Sequence, residues 1–260
     1  MSIEIRQFNL INGGGETYTL TVSNKYTGFL GVVDGLGYEK SPEYQKVGNE
    51  YTQLTDTINQ GVISGVIVFF QPHAYQNFTK FARFCQSDDL TLCYQIPTGL
   101  FMKKGSVTKI EKSEGNDSLK VKINFTPRTL WYQDISAEIA DSSLTIHSDS
   151  LVESPCCLSF SGVAVTDSTL EWSQEVNGVE IMTGALGGVT IDATDTVYIR
   201  TDTNPYQIYK VDSENVKTDL YAKSDFSTAR FPLLYMGENE FIITGASSIK
   251  VEGKLLYETV

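Results

Sequence analysis

Short segments in which apolar and polar residues alternate make up much of this chain, and this period of two restricts what it can fold into. Because the side chains of a β-strand point alternately to two faces, such spacing on both sides of a glycine turn predicts a β-hairpin. β-Branched and aromatic residues, among them 14 Tyr and 13 Phe, favour strands over helices. We therefore predict a mainly β protein. Around the first turn, Gly13–Gly15, the apolar residues are Ile3, Ile5, Phe8, Tyr18, Leu20 and Val22.

Further strands are predicted along the whole chain. In the first half they are the apolar run 62–70, the segment LTLCYQI at 90–96, and a hairpin of SVTKIEKSE and SLKVKINFTP around the turn Gly115–Asp117. Residues 28–49, rich in Gly, Tyr and Pro, predict loops and short strands. In the second half, many short segments between turns such as Asn177–Gly178 and Gly187–Gly188 predict an antiparallel β-sandwich.

One window has the periodicity of an amphipathic helix. It spans residues 73–87 (HAYQNFTKFARFCQS), with Pro72 before it and polar turn residues after it. A helix with this much aromatic character on one side is expected to pack against a sheet. The apolar residues that fall on its single face are Tyr75, Phe78, Phe81, Ala82 and Cys85.

Charge is divided unevenly along the sequence. Residues 1–133 contain 13 Lys and Arg against 12 Asp and Glu, whereas residues 134–260 contain 7 against 20, which together give the net charge of −12. A chain of 260 residues is long enough for two domains. The change near Asp134 predicts domains of 1–133 and 134–260, and the acidic second half argues against nucleic-acid binding because phosphates require Lys and Arg.

The cysteines and the N-terminus predict synthesis in a reducing cytoplasm. None of Cys85, Cys93, Cys156 and Cys157 forms a CxxC pair, so we expect four buried free thiols. The sequence MSIEIRQFNL lacks the basic segment and apolar run of a signal peptide. The longest apolar stretch, 62–70, is far too short to cross a bilayer, so no membrane insertion is expected.

Signatures of catalysis are weak. A hydrolytic triad needs a nucleophile, an imidazole and a carboxylate together, and the chain has only two histidines, His73 and His147. No serine lies in a GxSxG elbow. We expect His73, at the helix start, and His147, in a strand or turn, to have surface or capping roles. No catalytic residue and no enzyme activity are predicted.

Metal and cofactor motifs are equally weak. The sequence has no HExxH, no Cys and His at zinc spacing and no EF-hand loop. Asp192, Asp195 and Asp202 could surround Ca²⁺, but alternating Asp and Thr is also common at exposed strand ends, and no metal site is predicted. The clusters Gly13–Gly15 and Gly184–Gly188 lack a Walker lysine, so we interpret them as turns and predict no cofactor.

An acidic β-sandwich leaves two other functions open. Paired carboxylates in a deep groove could hydrolyse glycosidic bonds, which would make the protein a polysaccharide-degrading enzyme. Exposed aromatic residues could stack on sugar rings and make it a carbohydrate-binding module for host cell-wall glycans. Trp172 and Tyr198 are the candidates for stacking, although packing between two sheets is the simpler expectation for both.

Several segments, taken in order, carry a resemblance to one family. They are YQNFTKFARFC, LTLCYQIPTGLF, VTKIEKSE and FTPRTLWYQ in the first half, and LYAKSDFS, FPLLYMGENEFIITG and KVEGKLLYETV in the second, with the turn Gly237–Asn239 as the clearest piece. Their combination resembles the distal tail protein (Dit) of siphophages that infect Gram-positive bacteria. The residues at its recurring positions are Tyr94, Pro97, Gly99, Lys112, Glu114 and Trp131.

The resemblance implies an architecture and a role. It implies an N-terminal β-sandwich with one helix and an extended hairpin, followed by a galectin-like antiparallel β-sandwich. Six copies of the N-terminal domain would close into a ring in the virion. That ring would join the major tail protein to the tail-tip hub protein and, in many phages, to receptor-binding proteins or their connectors. A galectin-like fold does not by itself bring sugar binding.

Overall fold

Antiparallel strands dominate the computed structural model, which describes residues 6–20, 30–47, 49–225 and 231–260. This confirms the predicted mainly β fold class. The chain divides into unit 1, residues 1–132 with 257–260, and unit 2, residues 133–256. The last four residues, although they belong to the acidic half of the sequence, therefore cluster with unit 1.

Among its described residues, unit 1 combines strands with one α-helix between the sixth and seventh strands. Its elements are β1 (Gln7–Ile11), β2 (Thr17–Thr19), β3 (Leu30–Asp34), β4 (Tyr38–Val47), β5 (Glu50–Gln60), β6 (Ile63–Phe70), α1 (Ala74–Phe84), β7 (Leu90–Ile96), β8 (Gly99–Glu114), β9 (Ser118–Pro127) and the start of β10 (Trp131–Ile139).

The long strand β8 takes part in two groups of paired strands in unit 1. Its first part continues the order β2-β1-β7-β8, and its second part pairs with β9, which pairs with β6 and through it with β3. The change of partner falls at Gly105, where a Cβ atom would lie 2.4 Å from the Thr126 carbonyl oxygen. Because only glycine permits so close an approach, this residue allows β8 to serve both groups.

The predicted hairpins of unit 1 are confirmed. β1 and β2 pair around the Gly13–Gly15 turn, whereas Ile3, Ile5 and Val22 lie outside the described residues. β8 and β9 pair around residues 115–117. The apolar run 62–70 forms β6, whose alternate side chains from Ile63 to Phe69 are buried, as predicted.

Helix α1 is confirmed, with one correction to its apolar face. Phe81 is fully buried and its ring contacts Phe69 of β6, with centroids 5.9 Å apart. Tyr75, assigned to the same face, is instead 50% exposed. Its ring lies beneath Lys112 of β8, 5.5 Å from the ammonium group, so this side chain contacts the neighbouring hairpin and is not part of the core.

Residues 38–60 correct a second prediction. The region 28–49 was expected to hold loops and short strands, yet β4 runs for 10 residues and pairs with the 11 residues of β5. Within the described residues, this hairpin forms a two-stranded sheet of its own. The prediction failed because β4 has exposed side chains on both faces from Ser41 to Lys46, so no apolar alternation marks it as a strand.

In the part of unit 2 that the structure describes, the elements are strands and one short 3₁₀ helix. The elements that follow β10 are β11 (Ser143–Ser148), β12 (Ser154–Ser161), β13 (Val165–Val176), β14 (Val179–Ile191), β15 (Thr196–Arg200), β16 (Gln207–Val211), β17 (Lys217–Asp219), η1 (Tyr221–Lys223), β18 (Leu233–Leu234), β19 (Gly237–Ile243) and β20 (Ser248–Tyr257), the last residue of which belongs to unit 1.

Two sheets build unit 2. One has the order β17-β16-β15-β12-β20-β10 and the other the order β11-β19-β13-β14. Alternate residues of both are buried, for example Leu158 and Ile199 in the first sheet and Leu170 and Phe241 in the second. This pattern is that of a β-sandwich, in which each sheet turns one face inward.

The glycines Gly184–Gly188 correct a third prediction, because they do not form a turn. β14 continues through them as one strand, and a register shift against β13 marks a β-bulge at Gly188, whose φ is +60°. Gly184 lies opposite Trp172, and a Cβ atom there would be 2.2 Å from the indole ring. The cluster thus accommodates a bulge and a tryptophan. The predicted turn at Asn177–Gly178, with both φ angles positive, is confirmed.

A buried amide holds the segment around Gly237–Asn239, the clearest part of the family resemblance. Asn239 is fully buried, and its Nδ2 donates to the carbonyl oxygens of Tyr235 (2.7 Å) and Gly237 (3.1 Å). Its Oδ1 accepts from the backbone N–H of Tyr235 (2.9 Å) and from Nε2 of Gln174 (3.1 Å). The prediction of a turn at Gly237–Asn239 is wrong, because these residues are the first three of β19 and pair with β11. Through Gln174, Asn239 joins the start of β19 to β13, which is a structural role.

Candidate functional site

The hairpin β4–β5 presents aromatic side chains to solvent, and we call it the tyrosine hairpin. Tyr44 pairs with Gln53 and Lys46 pairs with Tyr51. Residues at i and i+2 share a face of a strand, as do residues directly opposite each other. Tyr44, Lys46 and Tyr51 therefore lie on one face, where Tyr44 is 57% and Tyr51 is 70% exposed.

The tyrosine hairpin has the features of a protein–protein interface that is exposed in the single chain. An isolated two-stranded hairpin is marginally stable in water, and large exposed aromatic residues are enriched at protein–protein interfaces. β4 and β5 pair with no third strand within the described residues. The arrangement suits docking onto another protein surface, which would bury the two tyrosine rings.

A second hairpin, β8–β9, is braced by α1. Lys112 and Glu114 form an ion pair of 2.9 Å, and the Lys112 ammonium group lies 5.5 Å from the centre of the Tyr75 ring. Hydrogen bonds from Lys112 and Tyr75 lower the pKa of Glu114. Lys112 and Glu114, two of the residues that carry the family resemblance, thus connect the end of the hairpin to the helix.

The other family residues of unit 1 are structural as well. Tyr94 stacks on Phe8 at 4.7 Å, and Trp131 is buried, with its Nε1 donating to the Leu36 carbonyl oxygen at 2.9 Å. The buried Lys103 ammonium group lies 4.8 Å from the centre of the Trp131 ring. Pro97 begins the two-residue connection between β7 and β8, and Gly99 begins β8.

A groove lies over β12 on the outward face of the first sheet of unit 2. Leu158 and Phe160 of β12 point into the core, so Cys157 and Ser159, which alternate with them, face outward. Both outward side chains are small. The central strand therefore leaves space between the larger side chains of its two neighbours.

The neighbouring strands form the walls of this groove. Cys157 lies between Arg200 of β15 and Glu252 of β20. The cavity has a volume of about 480 Å³, and we call it the β12 groove. It is lined by Pro155, Cys157, Tyr198, Arg200, Asp202, Tyr209, Glu252, Gly253, Lys254 and Leu256.

The side chains of the β15 wall are held in place by one another. Tyr198 and Tyr209 stack with ring centroids 5.0 Å apart and an interplanar angle of 14°, and the Lys217 ammonium group lies 3.6 Å from the centre of the Tyr209 ring. Arg200 donates two hydrogen bonds to the Asp202 carboxylate, at 2.9 Å and 2.7 Å. This pairing lowers the pKa of Asp202 and raises that of Arg200, so both are charged at neutral pH.

The thiol at the floor of the groove is unreactive. Burial raises the pKa of the Cys157 thiol to about 11, which leaves it protonated and a poor nucleophile at neutral pH. All four cysteines are free and buried, as predicted from the sequence. The groove therefore offers surfaces for binding, and its thiol is not activated.

The two aromatic candidates for sugar stacking have different positions. Trp172 is only 3% exposed, so the prediction that it packs in the core is confirmed. For Tyr198 that prediction is wrong, because Tyr198 alternates with the buried Val197 and Ile199 and lines the β12 groove. Sequence alternation could have found this orientation, but it could not have found the groove, which depends on three paired strands.

The three aspartates considered for Ca²⁺ do not share one site. Asp195 is 2% exposed, and its carboxylate accepts from Lys210 Nζ at 2.7 Å and from the Asp192 N–H at 3.1 Å. Asp202 is paired with Arg200 instead. Throughout the described ranges, no group of three or more His, Cys, Asp and Glu side chains could hold a metal ion.

The two histidines lie in different units and at exposed positions. His73 is the residue before α1, where its side chain makes no capping hydrogen bond, and His147 lies on β11 opposite Glu238.

Among the residues that the structure describes, no helix is long and apolar enough to cross a membrane.

Comparison with known proteins identifies one family. Residues 7–128 match the family model of the distal tail protein, N-terminal domain, and this confirms the resemblance seen in the sequence. The match supports a structural role in a bacteriophage tail baseplate. No protein among curated sequences matches the chain.

Solved structures share the fold over almost the whole chain. A chain of the phage P2 baseplate, in its activated conformation with Ca, is 15% identical, with a TM-score of 0.58 over 98% of this chain and 100% of that one. The same baseplate with Sr gives 16% identity and a TM-score of 0.58, at the same coverage. The Dit protein of phage SPP1, described as a paradigm of the hub adsorption apparatus in phages infecting Gram-positive bacteria, is 12% identical, with a TM-score of 0.68 over 96% and 99%.

Proposed function

We propose, because residues 7–128 belong to the distal tail protein family, that this protein is the structural hub of a phage tail baseplate. In this proposal six copies form a closed ring through their N-terminal domains, residues 1–133. The ring joins the tail tube, made of the major tail protein, to the tail-tip hub protein and the receptor-binding apparatus. The C-terminal domain, residues 134–260, faces outward.

The tyrosine hairpin is the observation that best supports the ring. A closed ring requires head-to-tail contacts, in which a surface of each copy meets a different surface of the next. The hairpin supplies one such surface, with Tyr44 and Tyr51 exposed on one face. We assign its contact to the adjacent copy, because burying the rings there would stabilise both the hairpin and the ring.

The charge distribution supports the proposal that residues 134–260 lie on the outside of the ring. Residues 1–133 are nearly neutral, which favours close packing of like subunits, whereas residues 134–260 carry the excess of acidic side chains. An acidic outer surface keeps assemblies soluble and can attract basic partners.

Mass in solution tests the ring. Light scattering is expected to give about 173 kDa, six times the 28.8 kDa of one chain, and negative-stain images should show closed rings. The double variant Tyr44→Asp/Tyr51→Asp is expected to reduce the mass to that of a single chain, since two carboxylates would be buried at the contact.

A matched control separates the hairpin from a general effect of added charge. Val179→Asp places a carboxylate at another exposed apolar position, 63% exposed in unit 2, and should leave the ring intact. A single-chain mass for the wild-type protein at every concentration would contradict the ring. Rings formed equally well by the double variant would contradict the role of the hairpin.

A further inference from the structure

The β12 groove has features that the ring does not use. Its walls hold two stacked tyrosines on one side and charged side chains on both sides. The outward-facing part of a sheet in a solvated domain usually carries scattered polar residues. Here small residues on the central strand and large residues on its neighbours create a concave surface of defined chemistry.

The lining of the groove has equal numbers of positive and negative side chains. Arg200 and Asp202 neutralise each other through two hydrogen bonds, and Glu252 accepts from Lys250 at 2.8 Å. Lys254 adds one positive group to the lining. Fixed donors and acceptors thus alternate along the walls, which suits hydroxyl groups, because a hydroxyl both donates and accepts.

Contacts within the sheet hold the aromatic wall in place. Tyr209 is fixed between the Lys217 ammonium group and the Tyr198 ring. A platform that is already ordered loses little conformational entropy on binding. Flat apolar ring surfaces next to fixed hydrogen-bonding groups are what a pyranose ring requires, since it has an apolar face and a polar rim.

We propose that the β12 groove is a binding site for a neutral saccharide. Tyr198, backed by the ring of Tyr209, provides the stacking surface, and Arg200, Asp202 and Glu252 bind the hydroxyl groups. The site is on unit 2 and does not depend on ring formation. A ring of six copies would present six such sites and would strengthen binding to a repeating polymer through multivalency.

Two other occupants fit the groove less well. A polyphosphate fits less well because the cationic side chains of the lining, Arg200 and Lys254, are matched by the carboxylates of Asp202 and Glu252. In addition, residues 134–260 carry 20 Asp and Glu against 7 Lys and Arg, which repels an anion. A peptide that adds a strand needs a free sheet edge, whereas β12 is already paired with β15 and β20 on its two sides.

Titration with defined oligosaccharides tests the proposal. The probes are neutral oligosaccharides of hexoses and N-acetylhexosamines, screened on an array and then titrated by calorimetry, with a glycerol-phosphate oligomer as the anionic probe. We expect at least one neutral probe to bind the full-length protein with a Kd of about 0.1 to several mM. The anionic probe should bind more weakly.

Variants of the groove then locate the site. Tyr198→Ala should weaken binding of the selected oligosaccharide about tenfold or more, whereas Tyr198→Phe, which keeps the ring, should stay within about threefold of wild type. Glu252→Gln should weaken binding about fivefold. Glu214→Gln, at an exposed position in the β16–β17 turn of the same unit, serves as the matched control and should have no effect.

Three outcomes would overturn the proposal. They are the absence of binding by every neutral probe at millimolar concentration, binding that survives Tyr198→Ala in a folded protein, and tighter binding of the anionic probe. Thermal unfolding of each variant shows whether it is folded. Because light scattering reports the ring separately, failure of saccharide binding and failure of the ring are distinguished.

Discussion

The two units bury polar side chains in contrasting ways. In unit 1 the fully buried Lys103 lies over Trp131, and burial lowers its pKa to about 8. In unit 2 the fully buried Asn239 has both amide atoms in hydrogen bonds to Tyr235, Gly237 and Gln174. Burial destabilises the charged form of an ionisable side chain, whereas an amide with both atoms in hydrogen bonds, such as that of Asn239, stabilises one conformation.

The surfaces of the two units also differ. Unit 1 exposes the aromatic tyrosine hairpin, which favours contact with another protein, whereas unit 2 turns the β12 groove and most of the acidic side chains outward. The comparison suggests that unit 1 is built for assembly and unit 2 for a fixed outer surface. Substitutions at the buried polar positions can break or sharpen this distinction.

Removal of the Asn239 amide should have the largest effect. Asn239→Ala leaves the backbone groups of Tyr235 and Gly237 without partners in a buried site, and we expect a loss of about 3–4 kcal/mol in the free energy of unfolding. Denaturant unfolding followed by tryptophan fluorescence would measure it. The control Asn116→Ala, at an exposed turn of unit 1, should change stability by less than about 0.5 kcal/mol. Equal effects of the two substitutions would contradict the structural role of the amide.

Replacement of Lys103 should stabilise the protein, in contrast to replacement of Asn239, and the size of this effect should depend on pH. Because its pKa is lowered from 10.5 to about 8 in the folded state, the unfolded chain binds more protons between these values. Stability due to this group therefore rises as the pH rises through that window, by up to about 3 kcal/mol.

Comparison with Lys103→Met isolates that contribution from other groups. Burial also raises the pKa of Cys85, to about 12, and of Tyr18, so their effect lowers stability at high pH and must be subtracted. We expect Lys103→Met to be more stable than wild type by about 2 kcal/mol at pH 7, with the difference shrinking towards pH 10.5. A difference that is constant with pH would refute the assignment.

The ion pair of Lys210 and Asp195 should give the next effect. Burial opposes ionisation of Asp195, but hydrogen bonds from Lys210 and from the Asp192 N–H outweigh it and lower the pKa. Lys210→Met would leave a buried carboxylate with a single donor, at a cost of about 2 kcal/mol near pH 7.

The sign of its pH dependence distinguishes this pair from Lys103. A lowered carboxyl pKa contributes stability above the unfolded value of about 4, and this contribution is lost as the pH falls through the folded value. The deficit of Lys210→Met should therefore shrink in acid. A deficit that grows below pH 4 would show that Asp195 is not the partner that matters.

Much of the fold could be predicted because it depends on local pattern. Helix α1, the hairpin around 115–117 and the turn at Asn177–Gly178 each follow from periodicity or from turn residues close in sequence. β4 could not be predicted, since its exposed faces erase the alternation on which the prediction depends. Gly187–Gly188 was misread because a glycine pair is equally suited to a turn and to a bulge.

The candidate site was much less predictable. Tyr198 was identified as a residue of interest, but its groove depends on the register of β12 with β15 and β20, which joins residues about 40 to 100 positions apart along the chain. The motif Gly237–Asn239 is visible in the sequence, yet its place at the start of β19 and its role follow only from strand pairing and from the hydrogen bonds of Asn239. Such non-local pairing leaves no signature in a single sequence.

The smallest expected effect concerns the exposed pair of Lys112 and Glu114. Both side chains are largely in water, with 40% and 53% of their surface exposed, so solvent and salt screen their attraction. Glu114→Gln should therefore leave thermal unfolding indistinguishable from wild type at physiological salt, in contrast with Lys210→Met. A loss as large as that of Lys210→Met would show that the contact between the hairpin and α1, through Tyr75, is a stabilising element of unit 1 and not a screened surface pair.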